Sequence, residues 1–250
     1  MKIGGLQKLT LIDYPGKIAC TIFTVGCNFR CPFCYNPELV LPAKIKNHPL
    51  IAEKEIFAFL KERQGLLEGV CITGGEPTIN ADLPQLISKI KRLGYFVKLD
   101  TNGSNPQMLE ALIDKKMIDY VAMDIKAPII TGKRPGKSGK KINSRIETLA
   151  YSKAVGKKVD LMKIKRSINV IRDSGIDYEF RTTVVPGLHR KEDILLLARM
   201  LAPAKRFYLQ AFKADKNLDP KINKTEMYSQ AYLLEIKQAI EFLFDVCGVR

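Results

Sequence analysis

Three cysteines carry the most distinctive chemistry in this chain. Cys27, Cys31 and Cys34 fall within eight residues, in the run Gly26-Cys27-Asn28-Phe29-Arg30-Cys31-Pro32-Phe33-Cys34. In a chain of 250 residues such a cluster points to metal or redox chemistry rather than to a disulfide framework. The spacing is C-x3-C-x2-C. Three thiolates on one short loop can reach three corners of an iron–sulfur cubane, which four cysteines normally hold. No fourth cysteine lies nearby. Cys20 and Cys71 sit in apolar, strand-like runs and read as buried small hydrophobes, and Cys247, near the C-terminus, has no assigned role. An iron without a protein thiolate is an open position, by the logic that separates open catalytic zinc from closed structural zinc. A substrate can bind it directly. Two other readings stay open on spacing alone. A zinc site needs a fourth ligand, and His48 and His189, the two histidines, are not in zinc-finger spacing. A ferredoxin-like carrier needs a fourth cysteine.

Further polar residues gather where later apolar runs end. Gly74-Gly75-Glu76-Pro77 can bring backbone close to a ligand and present carbonyls and a carboxylate to an ammonium group. Taken alone it is an ordinary turn. Asp100-Thr101-Asn102-Gly103 and Asp124-Ile125-Lys126 set two carboxylates and a lysine at neighbouring strand ends. There they can hold a sulfonium or a cation, or form an exposed salt bridge of small worth. His189 follows the Val184–Gly187 turn and is otherwise a polar loop residue. Gln210 either faces the site or is a satisfied strand residue.

These positions require elements to hold them. Short runs rich in Val, Ile, Phe and Thr predict strands at 18–24, 70–73, 95–100, 120–125, 178–185 and 207–211. Amphipathic stretches predict helices at 53–63, 83–93, 106–115, 163–174, 191–201 and 226–244, with Asp82 as an N-cap. About six βαβ units in one α/β domain follow, with a parallel sheet that either closes partly or stays open and doubly wound. In either case the polar clusters lie at the C-terminal ends of strands, where such folds place active sites.

The cysteine triad with Phe33 before its last member resembles the signature of the radical S-adenosylmethionine (SAM) superfamily. That resemblance implies a partial (β/α)6 barrel with outer helices and a 4Fe-4S cluster on Cys27, Cys31 and Cys34. It further implies that SAM chelates the open iron and is cleaved to methionine and a 5′-deoxyadenosyl radical. Gly74, Gly75 and Glu76 resemble the superfamily's GGE element, which receives the SAM amino group. The leader Gly4–Lys17, Asn36-Pro37-Glu38-Leu39, GGEP, LDTNG, D-x-K and the Val184–Gly187 loop are together similar to the anaerobic ribonucleoside-triphosphate reductase activating protein family. From such glycyl-radical activases, contacts to SAM and a monovalent cation carry over to Asp100, Asn102, Asp124 and Lys126, and a SAM-site role to His189. The implied partners are a glycyl-radical enzyme and a flavodoxin- or ferredoxin-type electron donor. An activase of pyruvate formate-lyase, or a radical SAM enzyme acting on a small molecule, fits the same motifs. Tyr35 departs from the histidine common in the pyruvate formate-lyase type.

Composition narrows the classes further. Hydrophobic residues make up 46%, enough for a sizeable core. No uncharged apolar run approaches a membrane span. Lys2, Lys8, Asp13 and Lys17 leave no room for a secretory signal, so a cytoplasmic protein is expected. The net charge is +15, and residues 131–166 carry twelve Lys or Arg against Glu147 and Asp160. With little aromatic content for base stacking, this basic stretch (about 131–160 as a divergent segment) reads as a solvated insertion or loop, not a nucleic-acid surface. It is a candidate docking surface for the partner or an acidic reductant.

Overall fold

The computed structural model describes residues 1–129 and 144–250, with only the backbone described for 144–148. In chain order the elements are β1 (Ile3–Thr10), β2 (Ala19–Thr24), the short α1 (Pro37–Val40) and α2 (Pro42–Ile45), α3 (Glu53–Glu62), β3 (Gly69–Gly74), α4 (Leu83–Arg92), β4 (Phe96–Thr101), α5 (Pro106–Asp114), β5 (Tyr120–Asp124), α6 (Ser144–Val155), α7 (Leu161–Asp173), β6 (Asp177–Val184), α8 (Lys191–Leu201), β7 (Ala204–Ala211), α9 (Gln230–Gln238) and β8 (Phe244–Val249).

All eight strands form one sheet in sequence order. β1 runs antiparallel to β2, and every later pairing is parallel. No pairing among the described residues joins β1 to β8, so the sheet is an open, partial barrel. The middle strands read as continuous apolar runs because both faces are covered: Cys20 and Ile22, Val70 to Ile72, and Val121 to Met123 are all fully buried. The helices supply the outer cover. α4 buries Leu83, Leu86, Ile87 and Ile90, and α7 buries Ile164, Ile168 and Ile171, both at helical spacing. The leader pairs along the sheet edge as β1. Beyond it, Tyr14 is buried with its ring 5.9 Å from that of Tyr120, and Asp13 accepts from the Thr21 hydroxyl at 2.6 Å. The leader thus closes the end of the barrel remote from the cysteines.

Three expectations need correction. The helix expected over 226–244 is much shorter, because the final apolar residues pair with β7 as a seventh parallel strand. Gly248 makes that pairing close: a Cβ there would fall 2.9 Å from the Tyr208 ring. Asp82 occupies the position before α4 but makes no side-chain cap bond. The basic segment is not a solvated loop throughout: its 144–155 part is α6, which buries Tyr151, Ala154 and Val155. The rest of that basic stretch up to residue 143 lies outside the described residues.

Candidate active site

The cysteine loop leaves β2 at Gly26 and is held from three sides. Its start is tied to β3: Gly75 N–H donates to the Thr24 carbonyl at 2.9 Å and Glu76 N–H to that of Gly26 at 2.8 Å. A Cβ on Gly75 would lie 1.9 Å from the Gly26 oxygen, so only glycine permits this approach. Its middle is tied to α6, where Arg30 N–H donates to the Val155 carbonyl at 2.8 Å. Its end is tied to the segment after β7: Leu218 N–H donates to Cys34 O, Asp219 N–H to Pro32 O, and Lys213 N–H to the Tyr35 hydroxyl at 2.7 Å. Tyr35, the departure noted above, is therefore a clip between the cysteine loop and the C-terminal third.

Cys27, Cys31 and Cys34 are free thiols. Burial pushes Cys27 up to about 12 and Cys31 to about 11, and raises Cys34 as well. Thiols raised in this way are poor nucleophiles, whereas a metal deprotonates its coordinating thiols outright. The Phe29 N–H already donates to the Cys27 sulfur at 3.3 Å. No three Cys, His, Asp or Glu side chains among the described residues converge on a point as ligands of one ion would. A single zinc needs four ligands around one centre. A cubane presents a different iron to each thiolate, so its three protein ligands need not converge on one point.

Glu76 is a hub beside that loop. It is 1% exposed and accepts from Thr78 N–H (3.1 Å), the Thr78 hydroxyl (2.5 Å), the Thr101 hydroxyl (2.7 Å) and Asn102 N–H (2.6 Å). Burial raises its pKa against the pull of those donors. Glu76 so fixes the end of β3 to the end of β4. Asn102 continues the link, donating through Nδ2 to Asn28 Oδ1 at 3.0 Å, with Cys27 Sγ at 4.0 Å. Asn28, which sequence reasoning passed over, also donates to the Ser104 hydroxyl at 2.7 Å.

Asp100 and Asp124 face the barrel interior with a partner the sequence did not announce. Arg181 on β6 donates through Nε to Asp124 Oδ1 and through Nη2 to Asp100 Oδ2, each at 3.1 Å. Lys98 contacts Asp100, and Lys126 lies 3.5 Å from Asp124. Burial opposes ionisation of both carboxyls, but the Arg181 and lysine charges outweigh it, lowering Asp100 and holding Asp124 at about 2. This is a largely buried network rather than the exposed bridge considered above. A second buried acid, Glu179, accepts from Arg250 at 2.9 and 3.1 Å and from the Tyr120 hydroxyl at 3.0 Å. Arg181 and Glu179 could have been flagged in the sequence only by register, as charges at inward positions of a strand.

His189 lies at the edge of this group. It is 1% exposed, and both ring nitrogens are engaged by backbone. Nδ1 accepts from Val185 N–H at 3.0 Å, so Nε2 carries the proton it gives to the Lys126 carbonyl at 2.8 Å. Burial lowers its pKa, in keeping with a neutral ring. The imidazole meets Phe33 edge-on at 6.4 Å, and the Lys126 ammonium lies 5.7 Å from the same Phe33 ring. His189 therefore connects the D-x-K element to the cysteine loop. Gln210 is half-buried on β7, paired with Thr183.

An open parallel barrel with three free thiols on the loop after its first parallel strand, beside a glycine-pair turn, defines a class of iron–sulfur enzyme. The chain belongs to the radical SAM superfamily, whose family model matches residues 21–200. Enzymes of this family use a 4Fe-4S cluster and SAM. A relative from Methanocaldococcus jannaschii, provisionally named a glycyl-radical enzyme activating enzyme, is 30% identical over 249 residues, covering 99% of this chain and 95% of its own. A 7-carboxy-7-deazaguanine synthase from Aquifex aeolicus is 36% identical over 81 residues, a third of each chain. Among solved structures, Streptococcus suis SuiB bound to SAM superposes with a TM-score of 0.62 at 14% identity, over 91% of this chain. The chain spans about half of SuiB's length, and that likeness is one of fold.

Proposed function

We propose that this chain activates a glycyl-radical enzyme, with anaerobic ribonucleoside-triphosphate reductase as its partner. The alignment with the M. jannaschii activating enzyme carries the activase reading, because it runs over 249 residues rather than over the motifs alone. The partner follows from the leader and motif set shared with the reductase-activating family. When bound, the cluster and SAM supply one-electron cleavage of the sulfonium. Cys27, Cys31 and Cys34 would hold three irons, and the Gly74-Gly75 turn would face the SAM amino group. Asp100, Asn102, Asp124 and Lys126 would line the rest of the SAM pocket, with His189 setting the position of Lys126. Glu76 works from behind, since its carboxylate ties the turn after β3 to Thr101 and Asn102 at the end of β4, and Asn102 in turn donates to Asn28 of the cysteine loop.

A second reading, a radical SAM enzyme acting on a small molecule, draws on the local match to the deazaguanine synthase. Reductant, SAM and a candidate partner, mixed anaerobically with the reconstituted protein, separate the two. A glycyl-radical signal on the ribonucleotide reductase and not on pyruvate formate-lyase supports the proposal. The reverse reassigns the partner. SAM cleavage that rises with a small substrate and no protein partner supports the second reading.

A further inference from the structure

The resemblance to activases brings SAM and a monovalent cation to Asp100, Asn102, Asp124 and Lys126, and the two carboxylates among them do not fit a cation. We infer that this protein binds SAM without a monovalent cation, because the Arg181 guanidinium already bridges the two carboxylates such an ion would join. The inference rests on this pocket being the SAM site.

The strand register makes the bridge. Asp124 and Arg181 are direct partners across β5 and β6, while Asp100 pairs with Ala122, and Ala122 with Glu179. Arg181 must therefore cross two strand spacings, about 10 Å, to reach Asp100. Its long side chain spans that distance, and the residue of β5 paired with Asp100 is the small Ala122. Every carboxylate oxygen then faces a cationic nitrogen. Asp100 Oδ1 meets Lys98 and Oδ2 meets Arg181 Nη2 at 3.1 Å. Asp124 Oδ1 meets Arg181 Nε at 3.1 Å, and Oδ2 meets Arg181 Nη2 at 3.4 Å and Lys126 at 3.5 Å. Glu179, 3.8 Å from Arg181 Nη1 and paired with Arg250, is the third acid against four bases, Lys98, Lys126, Arg181 and Arg250. A dissolved hard cation seeks several oxygens with free lone pairs. Here it would meet oxygens already paired, and three positive groups within a hydrogen bond of them. A guanidinium stays charged at every working pH and does not exchange with solvent, so the pocket's positive charge is built in.

The test is equilibrium SAM binding to the reconstituted, unreduced protein, in which SAM is not consumed. Potassium, sodium and tetramethylammonium chloride are compared at equal ionic strength. Wild type is expected to bind SAM with affinities within about twofold in all three. Arg181→Gln is expected to lose about tenfold in tetramethylammonium, the scale of one charged hydrogen bond, and to recover part of it in potassium. A wild type that loses affinity about tenfold without potassium overturns the inference. So does an Arg181→Gln protein indifferent to potassium. The wild-type comparison decides alone if the variant does not fold. Wild type that binds no SAM in any salt defeats the site assignment, and this inference with it.

Discussion

The cysteines were the most legible residues in the sequence, because cluster ligation demands a residue type and a spacing at once. Replacing Cys27, Cys31 or Cys34 by Ala is expected to abolish SAM cleavage, whereas Cys20→Ala and Cys247→Ala retain it; deoxyadenosine assays on the five variants check this. The acids at the strand ends were legible as positions, but their partners were not. Arg181 lies fifty-seven residues after Asp124, and only parallel pairing makes them neighbours. Asp124 also carries a pH signature. Its folded pKa of about 2 lies below the ordinary value of roughly 3.9, so its ion pair stabilises the fold above about pH 4 and that contribution disappears as pH falls toward 2. Asp124→Asn should therefore cost about 2 kcal/mol near neutrality and progressively less as pH drops from 4 to 2, as read by urea unfolding of both proteins across that range. A gap that is unchanged at pH 2 would mean that the cost is steric rather than ionic.

At the scale of elements, strand and helix order was readable from period and punctuation because each βαβ unit buries one apolar stripe against another. Two elements escaped for opposite reasons. β8 was not predicted: the helix expected over 226–244 overlaps it only at Phe244, and it is the free edge of β7 that recruits Phe244–Val249 as a strand. α6 was hidden by its setting: it lies within the basic stretch, yet Tyr151, Ala154 and Val155 give it one buried face, and Val155 grips the cysteine loop at Arg30. The contact between Gly75 and Gly26 is a tight backbone joint at the site. Gly75→Ala is expected to destabilise by about 3 kcal/mol and to lower cluster occupancy, because the methyl must push the Gly26 backbone aside. Thermal unfolding together with iron and sulfide content measures both effects. Normal iron content in a destabilised variant would show that the joint supports the fold but not the cluster loop.

For the whole molecule, one parallel sheet gathers the cysteine loop, the glycine turn, LDTNG and D-x-K at one end, while the leader closes the other. No described helix is long and apolar enough to cross a membrane. The excess positive charge adds a molecular-scale prediction. Lys157 and Lys158 are exposed and follow directly on Gly156, where a Cβ would lie 2.1 Å from the Arg30 oxygen of the cysteine loop. That basic pair therefore sits beside the cysteine loop, and on the proposed activase reading a partner's glycine loop would approach there. Charge reversal at Lys157 and Lys158, together with Lys140 and Lys141, is expected to weaken partner activation while leaving partner-independent SAM cleavage intact. Equal activation by the reversed protein would remove the docking role. The central claim is that Cys27, Cys31 and Cys34 hold a cluster that SAM binds directly. Its most direct test is the electron paramagnetic resonance spectrum of the reduced, anaerobically reconstituted protein with and without SAM, read alongside 5′-deoxyadenosine formation. A spectrum perturbed by SAM, with deoxyadenosine formed, is the predicted result. A cluster that forms but neither responds to SAM nor supports its cleavage would contradict the account and leave an electron-transfer or regulatory role in its place.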